Sequence, residues 1–144
     1  MSASTETLPD GRVALRFERR LAHPREKVWR ALTEPDRLRA WFVEIIDYDR
    51  SRLDFAAGAE LSFVADGFPT GRGEVTAYDP PTLLEYTWDG ETLRFELMVD
   101  GASGCLLVFT NIVDGPETAA AVTSGWRTGL ARLAVALDGA DARR

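Results

Sequence analysis

The chain has 144 residues, of which 45% are hydrophobic and 28% are charged. This length and composition are typical of one soluble globular domain, and they exclude a disordered chain, a collagen and a membrane bundle. The formal net charge of −6 disfavours a protein that binds nucleic acid through its phosphates, because such proteins are usually basic.

The chain contains one cysteine, Cys105, and one histidine, His23. A single cysteine excludes an intramolecular disulfide and fits a reducing compartment. A single histidine excludes a site built from several imidazoles. The first twelve residues lack the basic start and apolar stretch of a signal peptide, and no apolar run approaches the roughly 20 residues that span a bilayer. We therefore expect a cytoplasmic protein with no metal site and no cofactor.

The charges are unevenly distributed along the chain. Residues 16–39 contain eight Lys or Arg and four Asp or Glu, a net +4, whereas the rest of the chain carries −10. A solvated pair of helices with mixed charges accounts for this segment. The alternative is a basic face that docks on an acidic partner, with Arg25 and Lys27 among its cations.

The first elements of the chain are a leader and a strand. Residues 1–12 are polar and predict a disordered leader. The alternation of Val13, Leu15 and Phe17 predicts a half-buried strand that ends near Leu21. Arg19 lies on the apolar side of that strand, either at its end or inside, where it would need a partner.

Two short helices are predicted next. Pro24 suits the first turn of a helix, and Thr33-Glu34-Pro35 has the cap and first-turn residues of another. Their apolar positions are Val28, Trp29, Leu32, Leu38, Trp41 and Phe42.

From residue 45 to residue 112, short alternating runs predict a succession of strands. Asp89-Gly90 and Asp100-Gly101 have the composition of tight hairpin turns, which indicates an antiparallel meander. The predicted strands cover residues 45–48, 53–55, 59–64, 71–78, 83–88, 93–99 and 105–112.

The last predicted element is a long helix. Asp114, Pro116 and Glu117 have the spacing of a helix start, and Gly139 ends the helix before a tail at residues 140–144. Because a sheet with one apolar face must cover it, we expect a curved sheet around this helix. Its apolar stripe recurs every three or four residues, at Val122, Trp126, Leu130, Leu133 and Leu137.

Three parts of the chain resemble one known family. Residues 19–41, with Pro-x-x-x-Val-Trp and Thr-x-Pro, the stretch 53–58 ending in Ala-Ala-Gly, and Gly125-Trp126 in the last helix are similar to START-like (SRPBCC) proteins. The most similar branch is the C-terminal domain of the activator of the heat-shock-protein-90 ATPase. The resemblance spans residues 13–138, within a single START-like domain over residues 13–139.

The resemblance implies an α+β helix-grip fold, in which a curved antiparallel sheet surrounds a long C-terminal helix and two short helices follow strand 1. Relatives hold lipids, sterols, polyketides or plant hormones in a cavity, and some are cyclases or hydrolases. Many carry Thr-His near the end of the last strand, where this chain has Thr110-Asn111. Asn111 lacks an ionisable imidazole, but its amide suits a ligand carbonyl or hydroxyl.

Three other features have a structural explanation. His23 precedes a proline at a strand-to-helix joint without a nucleophile at readable spacing, so a local turn role is expected. Cys105 begins a strand and is expected to be a small apolar residue rather than a reactive thiol. Residues 71–73, Gly-Arg-Gly, lack the helix and lysine of a phosphate loop and predict a strand start or bulge.

The aromatic residues suggest an apolar pocket between the sheet and the last helix, although a filled core is the alternative for each of them. Tyr86, Asn111 and Arg19 are candidate polar contacts. The predicted cavity-lining residues are Trp41, Phe42, Phe63, Val75, Tyr86, Trp88, Phe95, Leu97, Asn111, Trp126 and Leu130.

Three functions follow as hypotheses. The first is a binding module that holds a small apolar or amphipathic ligand, with no catalytic residue. The second is a cyclase- or hydrolase-type enzyme that works in the same cavity, which an inward acid with a perturbed pKa would favour. The third is a co-chaperone-like domain that binds a chaperone through the basic segment. The oligomeric state is left open, a homodimer included.

Overall fold

The computed structural model describes residues 3–142, with side chains up to residue 139. It contains seven antiparallel strands in the spatial order β1-β2-β7-β6-β5-β4-β3 and three helices. The strands are β1 (Ala3–Thr7), β2 (Val13–Leu21), β3 (Glu60–Phe63), β4 (Gly71–Asp79), β5 (Leu83–Trp88), β6 (Glu91–Asp100) and β7 (Gly104–Val113), and the helices are α1 (Arg25–Thr33), α2 (Pro35–Leu38) and α3 (Pro116–Ala142).

The sheet curves around α3, which packs against β2, β7 and α1. Period-two alternation positions the core: Leu93, Phe95 and Leu97 of β6 are buried, and residues between them are partly exposed. On the helix side, Leu130, Leu133 and Leu137 are buried at three- and four-residue spacing. This is the α+β helix-grip architecture, and the predicted fold class is confirmed.

The leader prediction is wrong for Ala3–Thr7. These residues form β1, which pairs antiparallel with β2 and places Ala3 opposite Phe17. The turn between them has Gly11 at a φ of 91°, a left-handed conformation that glycine adopts without strain. A polar segment is ordered here because the free edge of β2 offers it backbone hydrogen bonds. The predicted leader's first two residues lie outside the described part of the chain.

Two predicted strands are absent from the described residues: 45–48 and 53–55 form turns and irregular structure. The side chain of Asp47 accepts hydrogen bonds from the backbone N–H groups of Asp49 and Arg50, which closes a turn instead of a ladder. One isolated bridge, Arg52 to Ser62, connects this segment to β3.

The ends of two helices also differ from the prediction. α2 is only four residues long, so Trp41 and Phe42 lie in the turn after it, and both remain buried. Thr33 does not cap α2, because its hydroxyl donates to the carbonyl of Trp29. α3 passes through Gly139 to Ala142, since one glycine costs a helix only about 1 kcal/mol. Residues 143–144 of the predicted tail lie outside the described residues.

No helix within residues 3–142 combines the length and the apolar character that crossing a membrane requires.

Candidate functional site

A partly open pocket of about 620 Å³ lies between the first half of α3, the β5–β6 hairpin and the segment that follows α2. We refer to it as the grip pocket. Its lining residues are Trp41, Phe42, Val43, Glu44, Trp88, Asp89, Glu91, Leu93, Ala121, Val122, Ser124, Gly125, Trp126, Thr128, Gly129 and Arg132.

Aromatic rings form one wall of the grip pocket. The ring centroid of Phe42 lies 6.1 Å from that of Trp88 and 5.9 Å from that of Trp126. The ring centroid of Trp41 lies 5.3 Å from that of Phe42 in an edge-to-face contact. The indole N–H of Trp41 donates to the carbonyl of Ala31. These contacts hold the wall in place, because aromatic rings at such distances attract each other.

The pocket exists because α3 presents small side chains at this point. Gly125 and Gly129 lie one turn apart on the lining face, and a Cβ built on Gly125 would meet no atom within 4 Å. Further along the helix, the side chains of Leu130 and Leu133 are buried and fill the space between α3 and the sheet. The sheet and the helix therefore enclose a pocket at one end and a packed core at the other.

A buried asparagine connects the helix wall to the sheet wall. The indole N–H of Trp126 donates to Asn111 Oδ1 at 2.9 Å. Asn111 Nδ2 in turn donates to the carbonyl of Thr92 at 3.0 Å and to Glu91 Oε1 at 3.3 Å. Asn111 is fully buried, and its amide is engaged on both sides. It positions Trp126 and Glu91, and it is not itself a lining residue.

Two carboxylates, Asp89 and Glu91, lie at the hairpin end of the pocket. Burial raises the pKa of Glu91, and the negative charges of Asp114 and Asp89 raise it further, against the hydrogen bond from Asn111. Asp89 occupies a left-handed turn position with φ 50°, and its carboxylate accepts the backbone N–H of Arg72. This end of the pocket therefore carries two neighbouring acidic groups.

The opposite end carries an ion pair. Arg132 Nη1 donates to Glu44 Oε1 at 2.7 Å, and its Nη2 donates to the carbonyl of Ala40 at 3.3 Å. This pair ties α3 to the segment after α2, and it neutralises the guanidinium charge in the lining.

Four of the eleven predicted residues line the grip pocket: Trp41, Phe42, Trp88 and Trp126. The others lie in the core or behind the wall, because aromatic stacking has filled the space beneath them. Phe63 stacks on Trp88 at 4.3 Å, and Phe95 stacks on Phe109 at 4.7 Å. The residues outside the lining are Phe63, Val75, Tyr86, Phe95, Leu97, Asn111 and Leu130.

Tyr86 is completely buried, and its hydroxyl has no hydrogen-bond partner within the described residues. Burial raises the pKa of this phenol, so it stays neutral. Arg19 also lies away from the pocket, half-buried with its guanidinium 5.6 Å from the ring centre of Phe17. Neither of these two predicted polar contacts reaches the lining.

His23 lies at the predicted turn, and its side chain also hydrogen-bonds residues of α1 and α3. Its Nε2–H donates to Asp138 at 2.7 Å, and its Nδ1 accepts a hydrogen bond from Lys27 Nζ at 3.0 Å. Lys27 Nζ also donates to the carbonyl of Leu137, and this hydrogen bond connects α1 to the C-terminal part of α3. Lys27 is only 9% exposed, so this cation is not available on the surface as the docking hypothesis requires.

Cys105 and the glycines of β4 have the structural roles that the sequence predicts. Cys105 is buried in β7, and this burial raises the pKa of its thiol to about 11. Gly71 begins β4, and a Cβ there would approach the indole nitrogen of Trp88 to 2.5 Å. A Cβ on Gly73 would overlap the carbonyl of Thr87.

The pocket residues that the sequence reasoning missed are mostly polar or small. Glu91, Arg132 and Leu93 were not predicted to line it. The sequence of α3 contains a feature that predicts a pocket: between Val122 and Leu130, the only large residue in its apolar stripe is Trp126.

Solved structures from several bacteria share this fold. Protein MLL2253 of Mesorhizobium loti is 26% identical with a TM-score of 0.73, over 87% of this chain and 96% of that one. Protein NE0264 of Nitrosomonas europaea is 24% identical with a TM-score of 0.72, over 88% and 94%. CalU16 of Micromonospora echinospora is 23% identical with a TM-score of 0.70, over 99% and 87%.

Among curated protein sequences, none matches this chain. The family described as "Activator of Hsp90 ATPase homolog 1-like protein" matches residues 22–138, which include both short helices, strands β3 to β7 and most of α3. The chain therefore belongs to the activator of Hsp90 ATPase homolog 1-like family of the START-like (SRPBCC) superfamily.

Proposed function

We propose that the protein is a binding module that holds a small apolar or amphipathic molecule in the grip pocket. The observation that carries this proposal is the pocket itself, whose volume of about 620 Å³ lies within the range of roughly 300–1,000 Å³ that ligand sites occupy. The family supplies the general precedent of a cavity between sheet and helix.

The lining has the composition of a ligand site. Trp88, Trp126 and Phe42 offer a broad apolar wall, and burial against it favours binding by about 25 cal/mol per Å² of apolar ligand surface. Glu91 and Arg132, at opposite ends, provide polar groups that orient a ligand. The wall is preorganised by the hydrogen bonds of its indoles, which limits the entropy lost on binding.

The direct test is to fill the pocket from the helix side. Gly125→Leu adds a side chain at a glycine of the lining, where a Cβ would meet no atom within 4 Å, and leucine favours a helix over glycine by about 1 kcal/mol. Gly139→Leu is the matched control, since it makes the same exchange on α3 away from the pocket.

Binding of the neutral fluorescent probe N-phenyl-1-naphthylamine is then measured by titration. We expect Gly125→Leu to weaken binding at least about tenfold, or 1.4 kcal/mol, while Gly139→Leu binds like the wild type. Equal binding by all three proteins would contradict the proposal, as would the absence of binding to the wild type.

A second candidate is acid–base catalysis in the same pocket, and the raised pKa of Glu91 is the observation that favours it. Glu91→Gln keeps the shape of the side chain and removes its proton transfer. Turnover of a panel of esters, lactones and cyclisable polyketones should then vanish in this variant and persist in Glu74→Gln, which changes an exposed strand residue. Turnover that Glu91→Gln leaves unchanged would rule out catalysis by this group.

A further inference from the structure

We propose that the ligand of the grip pocket carries a cationic amine or ammonium group, seated between the carboxylate of Glu91 and the rings of Trp88 and Trp126. This inference rests on the proposed binding function and specifies the chemical class of the ligand. It follows from the charges of the lining, from the position of Glu91 among the aromatic rings, and from the way the other charges are already used.

The charges in the lining are unbalanced. It contains three carboxylates, Glu44, Asp89 and Glu91, against one guanidinium, Arg132. Arg132 is already paired with Glu44 at 2.7 Å. Asp89 and Glu91 form no ion pair with any side chain within residues 3–139. The hairpin end of the pocket therefore carries two acidic groups that no cationic side chain within residues 3–139 pairs with.

Glu91 lies directly beside the aromatic wall. It is the cross-strand partner of Trp88 in the β5–β6 hairpin. Through Asn111 it is also linked to the indole of Trp126, since Asn111 bonds Glu91 on one side and Trp126 on the other. A cation that contacts the Glu91 carboxylate would therefore lie on the side of the hairpin that carries Trp88, and one hydrogen-bonded side chain away from the indole of Trp126. Indole faces attract cations within about 6 Å, and tryptophan does so most strongly among the aromatic side chains.

The environment of Glu91 favours a positively charged partner. Its pKa is raised by burial and by the neighbouring negative charges, which means that the surrounding protein groups compensate its ionised form only in part. A bound ammonium group supplies the missing opposite charge. The partly buried setting also strengthens the interaction, because water screens it less than on the surface.

An anionic ligand is disfavoured by the same arrangement. The charge of Arg132 is already balanced by Glu44, and its Nη2 donates to the carbonyl of Ala40, so the described lining offers an anion no cationic side chain that lacks a carboxylate partner. The apolar part of the ligand instead lies along Phe42, Leu93 and Val122, between the two ends.

Three probes with the same naphthalene body test the inference: 2-(1-naphthyl)ethyl-trimethylammonium, the corresponding alcohol and the corresponding carboxylate. Affinities are measured by calorimetric titration at low and at high salt. We expect the ammonium probe to bind about tenfold more tightly than the alcohol, and the carboxylate to bind most weakly. Added salt should reduce the preference for the ammonium probe.

Variants assign the preference to the proposed groups. In Glu91→Gln, the ammonium probe should lose its advantage while the alcohol binds as before; Asp89→Asn should reduce the advantage in part. Glu74→Gln, an exposed acid on another strand, should leave both affinities unchanged. If Glu91→Gln does not fold, the Asp89→Asn result and the salt dependence decide the matter.

The experiments distinguish a failure of the cationic assignment from a failure of the proposed binding function. Equal affinities for the ammonium and alcohol probes, or tighter binding of the carboxylate, would overturn the cationic assignment and leave the binding function intact. A wild type that binds none of the three probes would overturn both. An ammonium preference that survives Glu91→Gln and Asp89→Asn would also overturn the assignment.

Discussion

The buried hydroxyl of Tyr86 gives a sharp test of the packing in the core. Its ring lies 5.0 Å from Phe55, 6.0 Å from Phe95 and 6.5 Å from Phe63, measured between ring centroids. The side chain is fully buried, and its oxygen lacks a hydrogen-bond partner in the described part of the chain. The substitution Tyr86→Phe keeps the ring contacts and removes only this oxygen.

The expected effect is a gain in stability. A buried polar group without a partner costs about 1–3 kcal/mol of desolvation, and the phenylalanine does not have this cost. We therefore expect Tyr86→Phe to increase the free energy of unfolding by about 1–2 kcal/mol. For a chain of this length, that corresponds to a rise in Tm of about 3 °C per kcal/mol.

Tyr48 provides a matched control for the same chemical change. Its hydroxyl donates to the carbonyl of Val43 at 2.7 Å, so Tyr48→Phe removes a hydrogen bond that exists. We expect that variant to lose about 1 kcal/mol. Urea denaturation of both variants gives the two free energies, with equal m-values showing that the unfolded state is unchanged. A destabilised Tyr86→Phe would refute the reasoning, because it would show that the hydroxyl is hydrogen-bonded in solution.

Three further predictions concern the network, the hairpin and pH. Asn111→Ala leaves the partner indole and a strand carbonyl without their hydrogen bonds, and should lower the free energy of unfolding by about 2–3 kcal/mol in denaturant titrations. Gly73→Ala should destabilise by more than about 2 kcal/mol, because its Cβ would overlap the carbonyl of Thr87, whereas Gly115→Ala, with open space around it, should stay near wild type in Tm. The raised pKa of Glu91 means that the folded protein holds this proton more tightly than the unfolded chain. The wild type should therefore gain stability relative to Glu91→Gln as pH falls from neutral towards 4.5, the ordinary value of this carboxyl, and equal pH profiles would contradict the shift.

The sequence predicts the architecture well because the fold depends on periodic burial and on turn residues. The alternation of Leu93, Phe95 and Leu97 marks the inner face of β6, and the turn glycines Gly90 and Gly101 have positive φ values where hairpins were expected. Strand β1 was missed because an edge strand needs no apolar face, although the turn at Gly11 was a signal for a hairpin.

The site is harder to predict than the fold. Phe63 and Phe95 are buried, as the alternation indicates, and so is Tyr86, whose strand has no inward face that the pattern alone identifies. The three rings stack on one another instead of lining the pocket. Inward-facing residues line a pocket only where the opposite element is small, which here means Gly125 and Gly129 of α3. That pairing of helix and strand positions is a tertiary property, and period-two or period-3.6 patterns do not encode it.

The role of Asn111 also depends on tertiary contacts. The sequence suggests an amide available to a ligand, but the fold directs it to the indole of Trp126 and the carboxylate of Glu91. The amide therefore positions those two side chains of the grip pocket. The lining carboxylates without an ion pair in the described residues are Glu91 and Asp89. Both belong to the Asp89-Gly90 hairpin, and the sequence explains these residues by the turn alone.

Native mass spectrometry of the purified protein tests the central claim most directly. If the grip pocket holds a small molecule, the wild type should retain a low-mass adduct, either from the cell or after incubation with N-phenyl-1-naphthylamine. Gly125→Leu should lose that adduct, and Gly139→Leu should keep it. A wild type that stays bare in both conditions, or an adduct that Gly125→Leu retains in full, would contradict the claim that this pocket is the binding site.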